Sequence, residues 1–147
     1  MARHMWQINT RKKVKSQKSK VKTLEWEEAK ELKKEVEKIL KVIDLPHINI
    51  SRIFFYRTNG STSRSYARIW SFPKIFQRAL EIEPAYVIEV LSKHFDSLDE
   101  DEQKKVLIHE LLHIPKNFSG ALLPHRSRGR HLGSLVNQLF KEYKSKV

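Results

Sequence analysis

The segment His109-Glu110-Leu111-Leu112-His113 constrains this chain more than any other, because it sets two imidazoles four residues apart with a carboxylate beside the first. On an α-helix, residues i and i+4 stand one above the other on a single face, so both imidazoles can reach one metal ion. The next residue lies roughly 100° further round. The Glu110 carboxylate can therefore reach a water on the open side of the ion without becoming a ligand itself. Zinc suits imidazole donors and lowers the pKa of its bound water to about 7, within range of a nearby carboxylate. The pattern predicts two zinc ligands, His109 and His113, and a general base, Glu110, which together are the chemistry of a hydrolase.

The surrounding residues predict that the segment is helical. Ser97-Leu98-Asp99-Glu100 reads as a capping box, Asp99 through Glu102 supply an acidic first turn, and the helix should start near Leu98. Val106, Leu107, Ile108, Leu111, Leu112 and Ile114 can bury its back, and Pro115 stops it just beyond the second histidine.

A catalytic zinc needs a third protein ligand. The chain has no cysteine, no aspartate follows the motif, and Glu142 is the only acidic residue after Glu110. A metzincin would place Gly and His three and six residues after the second histidine, where this chain has Lys116 and Ser119, so that class is excluded. His125, His131 and Glu142 are left, in that order of preference. His125 follows Pro124, which stiffens the return of a loop that can fold back over the metal. His131 would begin a final helix whose core stripe is Leu132, Leu135, Val136, Leu139, Phe140 and Tyr143, and Glu142 lies near that helix's end.

The string from His109 to His125, H-E-L-L-H-I-P-K-N-F-S-G-A-L-L-P-H, resembles the minimal-zincin metallopeptidases of phages and archaea. In that family H-E-L-L-H-I-P, a Phe and Gly, and a His after the loop recur together. The resemblance covers about residues 47 to 143 and includes Tyr86-Val87-Ile88-Glu89. It implies a small zincin-like domain in which His109, His113 and His125 are the zinc ligands and Glu110 is the catalytic base. More remotely the chain is similar to the SprT-like proteases, which often act on DNA-associated proteins.

A chain of 147 residues fits one domain with one core. Its net charge of +12 is uneven: residues 1 to 22 hold eight of the 29 Lys and Arg and no acid, which leaves 21 cations against all 17 acids. That first stretch lacks helical apolar spacing and reads as a disordered basic tail before a domain of residues 23 to 147, suited to phosphate contact or to solubility. No apolar stretch approaches the roughly 18 residues that span a bilayer, and the N-terminus lacks a secretory signal, so the expected location is the cytoplasm and no membrane is involved.

The expected architecture is α+β. Thr23 can cap an N-terminal helix with Glu25, Glu27 and Glu28 in its first turn and Leu32, Val36, Ile39, Leu40 and Ile43 as its apolar stripe, ended by Pro46. Residues 48 to 56 and 64 to 71 read as strands of a hairpin around Asn59-Gly60. Residues 73 to 80 read as a short helix, and Tyr86 to Leu91 as a further strand that could offer its edge to an extended peptide.

Arg64, Tyr66, Arg68 and Trp70 alternate onto one strand face. Such a face could hold nucleic acid by charge and stacking, although aromatics at the core's edge with outward arginines is the preferred reading. Arg126, Arg128 and Arg130 beside His125 would favour hydroxide and anionic substrates, and one of them, or Tyr143, is a candidate to stabilise an oxyanion. The expected function is a zinc-dependent peptidase acting on a protein or peptide. The alternative is a nucleic-acid-binding module with a structural or vestigial metal.

Overall fold

In the computed structural model, residues 23–127 and 130–147 are described. The basic run of residues 1 to 22, Arg128 and the side chain of Arg130 lie outside the described residues. Four strands form one sheet: β1 (Glu25–Glu28), β2 (Ile53–Asn59), β3 (Ala67–Trp70) and β4 (Tyr86–Leu91). Five helices accompany them: α1 (Lys30–Val42), α2 (Lys74–Leu80), α3 (Ser92–Phe95), α4 (Glu100–Leu112) and α5 (Leu132–Lys146). A two-residue pairing of β5 (Arg126–Ser127) with β6 (Arg130–His131) precedes α5. The fold is α+β, as the residue pattern predicts.

Three expectations need correction. Glu25, Glu27 and Glu28 do not open the first helix: they lie in β1, antiparallel to β2, with Glu25 opposite Asn59 and Glu28 opposite Tyr56. The ladder satisfies amides that a first helical turn would have left to a side-chain cap, and α1 starts only at Lys30, with the buried Ala29 before it.

The hairpin of the second and third strands does not form either. The sheet order is β1-β2-β4-β3, so β4 separates β2 from β3, parallel to the former and antiparallel to the latter. The turn at Gly60 is real, with φ +81°, but the chain beyond it runs on to Tyr66 before pairing. Five of the six β4 residues are buried, and such a strand is favoured at the centre of a sheet, where both of its edges are paired.

It follows that Tyr86–Leu91 is no edge. Among the described residues the free edge beside the motif helix belongs to β3, which touches α4.

The helices cover one face of the sheet. Leu32 and Val36 of α1 and Leu107 and Leu111 of α4 pack with Ile53, Phe55, Ile88 and Val90 of the inner strand faces. A second cluster joins α1, α4 and α5 through Ile39, Ile108, Val136, Phe140 and Tyr143. Each such aliphatic side chain, fully buried, contributes about 1.5–3 kcal/mol, so α4 is clamped from the sheet on one side and from two helices on another. Its remaining face carries the motif. Among the described residues no helix lies over the opposite face of the sheet, which exposes Trp26, Phe54 and Trp70. Among the described residues no helix is long and apolar enough to cross a membrane.

Candidate metal centre

The motif helix is started by Asp99, not by the expected box at Ser97. The Asp99 carboxylate accepts from the Glu102 amide at 2.8 Å, while the Ser97 hydroxyl donates to the His94 carbonyl at 2.6 Å. Asp99 lies two residues closer to the helix body, and a carboxylate at its N-terminus also answers the helix dipole. The helix ends at Leu112, and His113 is its C-cap with helical dihedrals, φ −72° and ψ −16°. The i, i+4 relation with His109 is thereby preserved up to the last residue before the chain turns at Pro115.

The chain then folds back through a loop held at several points. The Gly120 amide donates to the Tyr86 hydroxyl at 2.8 Å, and that hydroxyl donates to the Ala121 carbonyl at 2.8 Å. Gln77 of α2 donates to the carbonyls of Phe72 and Ser119 at 2.7 and 2.8 Å. The Leu123 amide donates to the His113 carbonyl at 2.7 Å, and His113 Nδ1 lies 2.6 Å from the Leu123 carbonyl. A carbonyl can only accept, so His113 carries its proton on Nδ1 and keeps Nε2 free as a donor to a metal. Two residues later the loop delivers His125.

Three imidazoles converge there. Ring centroids are 5.1 Å apart for His109 and His113, 5.2 Å for His109 and His125, and 4.7 Å for His113 and His125. One nitrogen from each lies within 4.8 Å of the others, a cluster that could hold a metal ion. Burial, then the neighbouring imidazoles, holds His109 below the ordinary histidine pKa. His113 is lowered by burial and by His125, against the raising effect of the Leu123 carbonyl. Both are therefore neutral near pH 7, the form that binds metal.

Glu110 is 7% exposed and faces the same cleft. Burial pushes its carboxyl up to about 7, against the lowering effect of the Ile69 amide of β3. The approach follows from register: the Leu91 amide donates to the Tyr66 carbonyl at 2.9 Å, which makes Tyr66, Arg68 and Trp70 the residues bonded to β4. Ala67 and Ile69 alternate with them and turn their backbone groups to the free edge.

The other candidates lie elsewhere. His131 is exposed at the start of α5, where its Nε2 accepts from Arg126 Nε at 3.0 Å; it lines the cleft but is not one of the three clustered histidines. Glu142 accepts from Lys146 at 2.8 Å near the end of α5. Tyr143 is buried and stacks on Phe140, away from the cleft lining. Arg68 and Trp70 turn to Glu89 on the outer face of the sheet. Sequence reasoning missed the Tyr86 hydroxyl and the Ile69 amide; both act through long-range contacts that leave no mark in local spacing.

Gly120 bears directly on this geometry. It has φ +91°, and a Cβ there would collide with the Phe72 carbonyl and with the Gln77 side chain. Gly120→Ala is expected to cost about 2–4 kcal/mol from strain and overpacking. Thermal melts should show a Tm roughly 5–15 °C lower. Metal titration should show weaker binding than in the wild type, because the same loop carries His125.

A small α+β domain with paired histidines on one helix, a third histidine returning from a loop and a carboxylate between helix and edge strand is a zincin-like domain. This chain belongs to a family within that class: the sequence profile described as "Putative phage metallopeptidase" matches residues 24–144. Comparison with curated proteins and with solved structures finds no match.

Proposed function

We propose that the protein is a zinc-dependent peptidase in which His109, His113 and His125 hold the ion and Glu110 acts as general base. The observation that carries this reading is the convergence of the three imidazoles beside a buried carboxylate. Zinc fits the donor set: three nitrogen ligands, two of them held neutral by their surroundings, in a chain with no thiolate to complete a closed structural site. When bound, the ion supplies a Lewis acid that acidifies water and polarises a carbonyl.

The chain's own residues do the rest. The Glu110 carboxylate takes the proton of the attacking water and returns it to the leaving amine, and burial brings its affinity for that proton near neutrality. The Ile69 amide, at the edge of β3, favours the ionised form of the carboxylate. The outward groups of Ala67 and Ile69 offer an extended peptide a strand to pair with, which lays its carbonyls along the cleft. Leu123 keeps His113 in one tautomer. Exposed Arg126 is hydrogen-bonded to His131, which lines the cleft, and is our candidate to meet negative charge developing on the substrate.

The test is metal removal and return. Chelated protein should be inactive on unfolded protein or on a peptide library, and activity should return with zinc and saturate near one ion per chain. A protein that binds zinc at this ratio yet cleaves no member of the library would overturn the reading.

A further inference from the structure

Glu89 is a buried carboxylate that this chemistry does not use. It sits in the middle of β4, 3% exposed, on the sheet face that no helix of the described residues covers. Its Oε1 accepts from Arg68 Nε at 2.7 Å and Trp70 Nε1 at 2.9 Å, both on β3. Its Oε2 accepts from the Thr58 hydroxyl of β2 and from Trp26 Nε1 of β1, the latter at 3.4 Å. One side chain of β4 therefore reaches all three other strands. Burial alone would raise its pKa, but the hydrogen bonds from Arg68, Thr58 and Trp70 and the Arg68 charge together hold it below the ordinary carboxylate value. Withdrawing a carboxylate from water carries a desolvation cost that apolar packing of the same volume does not, and its Arg68 partner is itself 41% exposed, so stability alone does not account for a charge here.

The two β3 donors flank Ile69, the residue whose amide faces Glu110. Among the described residues β3 has no second strand neighbour to hold it, and its α4-facing side must still meet a substrate strand within about 0.5 Å for productive geometry. Arg68 also stacks over the Trp70 ring, with its guanidinium carbon 5.3 Å from the centroid, which closes the grip on the outer face. We infer that Glu89 is a positioning residue: by clamping Arg68 and Trp70 it fixes the outer edge of β3, and with it the register in which a peptide is laid against Glu110. This inference rests on the peptidase reading above for its kinetic consequence, though not for its effect on the strand.

Two matched variants test it. Trp70→Phe removes one donor to the carboxylate from β3 while keeping an aromatic ring on an exposed position; Trp26→Phe removes a donor to the same carboxylate from β1, at the far edge. With zinc-loaded protein and a peptide long enough to span β3, Trp70→Phe should raise KM roughly fivefold, with kcat within about twofold. Trp26→Phe should leave both unchanged, and both variants should keep full zinc content. Hydrogen exchange should quicken in the segment Ala67–Trp70 for Trp70→Phe only. Glu89→Gln should show the larger effect where it folds; Trp70→Phe serves where it does not. Equal KM changes in the two variants, or unaltered β3 exchange in Trp70→Phe, would overturn the inference. If wild-type protein cleaves no peptide, the peptidase reading has failed instead, and the exchange comparison still decides whether Glu89 holds the edge.

Discussion

Replacing His125 by alanine is expected to abolish tight metal binding while leaving the fold intact. The separation of the two effects follows from where the loop is held. Its fastenings are Gly120 and Ala121 on Tyr86, Ser119 on Gln77, and Leu123 on His113, and none of them uses the His125 imidazole. That side chain is exposed except for the two rings it faces, so its truncation opens no core cavity. Loss of an outer hydrogen bond to a metal ligand lowers affinity about 10–100-fold, and loss of a ligand itself should exceed that range. His131→Ala should stay within a few-fold of wild type, because His131 is bonded to Arg126 and stands outside the cluster. Competition titration against a chelator of known affinity, beside thermal melts of the metal-free proteins, checks both. The opposite ranking, with His131→Ala losing the ion and His125→Ala keeping it, would remove the three-histidine site.

The two variants also mark how far local sequence reaches. His109, Glu110 and His113 are legible because helical period alone puts them on adjoining faces, and the helix announces itself by an acidic start and a proline stop. His125 is legible through scarcity, since few donor side chains follow the motif, and the structure sets its ring beside the other two. The order of the strands was not legible in the same way. β-branched and aromatic runs mark residues 48 to 56 and Tyr86 to Leu91 as strands without saying which one neighbours which; the first strand in fact runs Ile53–Asn59, and Asn59-Gly60 advertises a hairpin that the burial of β4 overrides. The acidic run at Glu25 fits a first helical turn as well as it fits β1, and only pairing with β2 decides between them. The edge beside Glu110 is therefore β3 and not the expected Tyr86 to Leu91, and local spacing does not show Ile69 and Glu89 beside it. Both depend on β3 lying against β4, a contact across some twenty residues of chain.

Glu110→Gln is expected to do two opposite things: to end hydrolysis and to stabilise the metal-free protein at alkaline pH. The second follows from linkage. In the metal-free fold the Glu110 carboxyl is raised from 4.5 to about 7, so between those values the folded chain binds a proton that the unfolded chain has released. Its contribution to stability is full below about pH 4.5 and is lost as pH rises through 7. At about 1.4 kcal/mol per pK unit, the ionised buried carboxylate leaves wild type roughly 3 kcal/mol less stable above pH 8 than it would be with the group neutral. Glutamine carries no charge, nearly matches the volume, and keeps an oxygen for the Ile69 amide. The variant should then melt roughly 6–12 °C above wild type at pH 8.5 in chelator, and at nearly the same temperature at pH 5. A bound cation favours the carboxylate and should shrink the gap when zinc is restored. Hydrolysis should fall by about 10²–10⁴, the usual worth of a positioned general base, with zinc content unchanged. A stability difference independent of pH would show that Glu110 is not strained by burial, and undiminished cleavage would show that it is not the base. The two measurements bear on one fact: a carboxylate withdrawn from water beside Ile69 of β3 is costly to ionise, and that cost raises its proton affinity to near neutral pH.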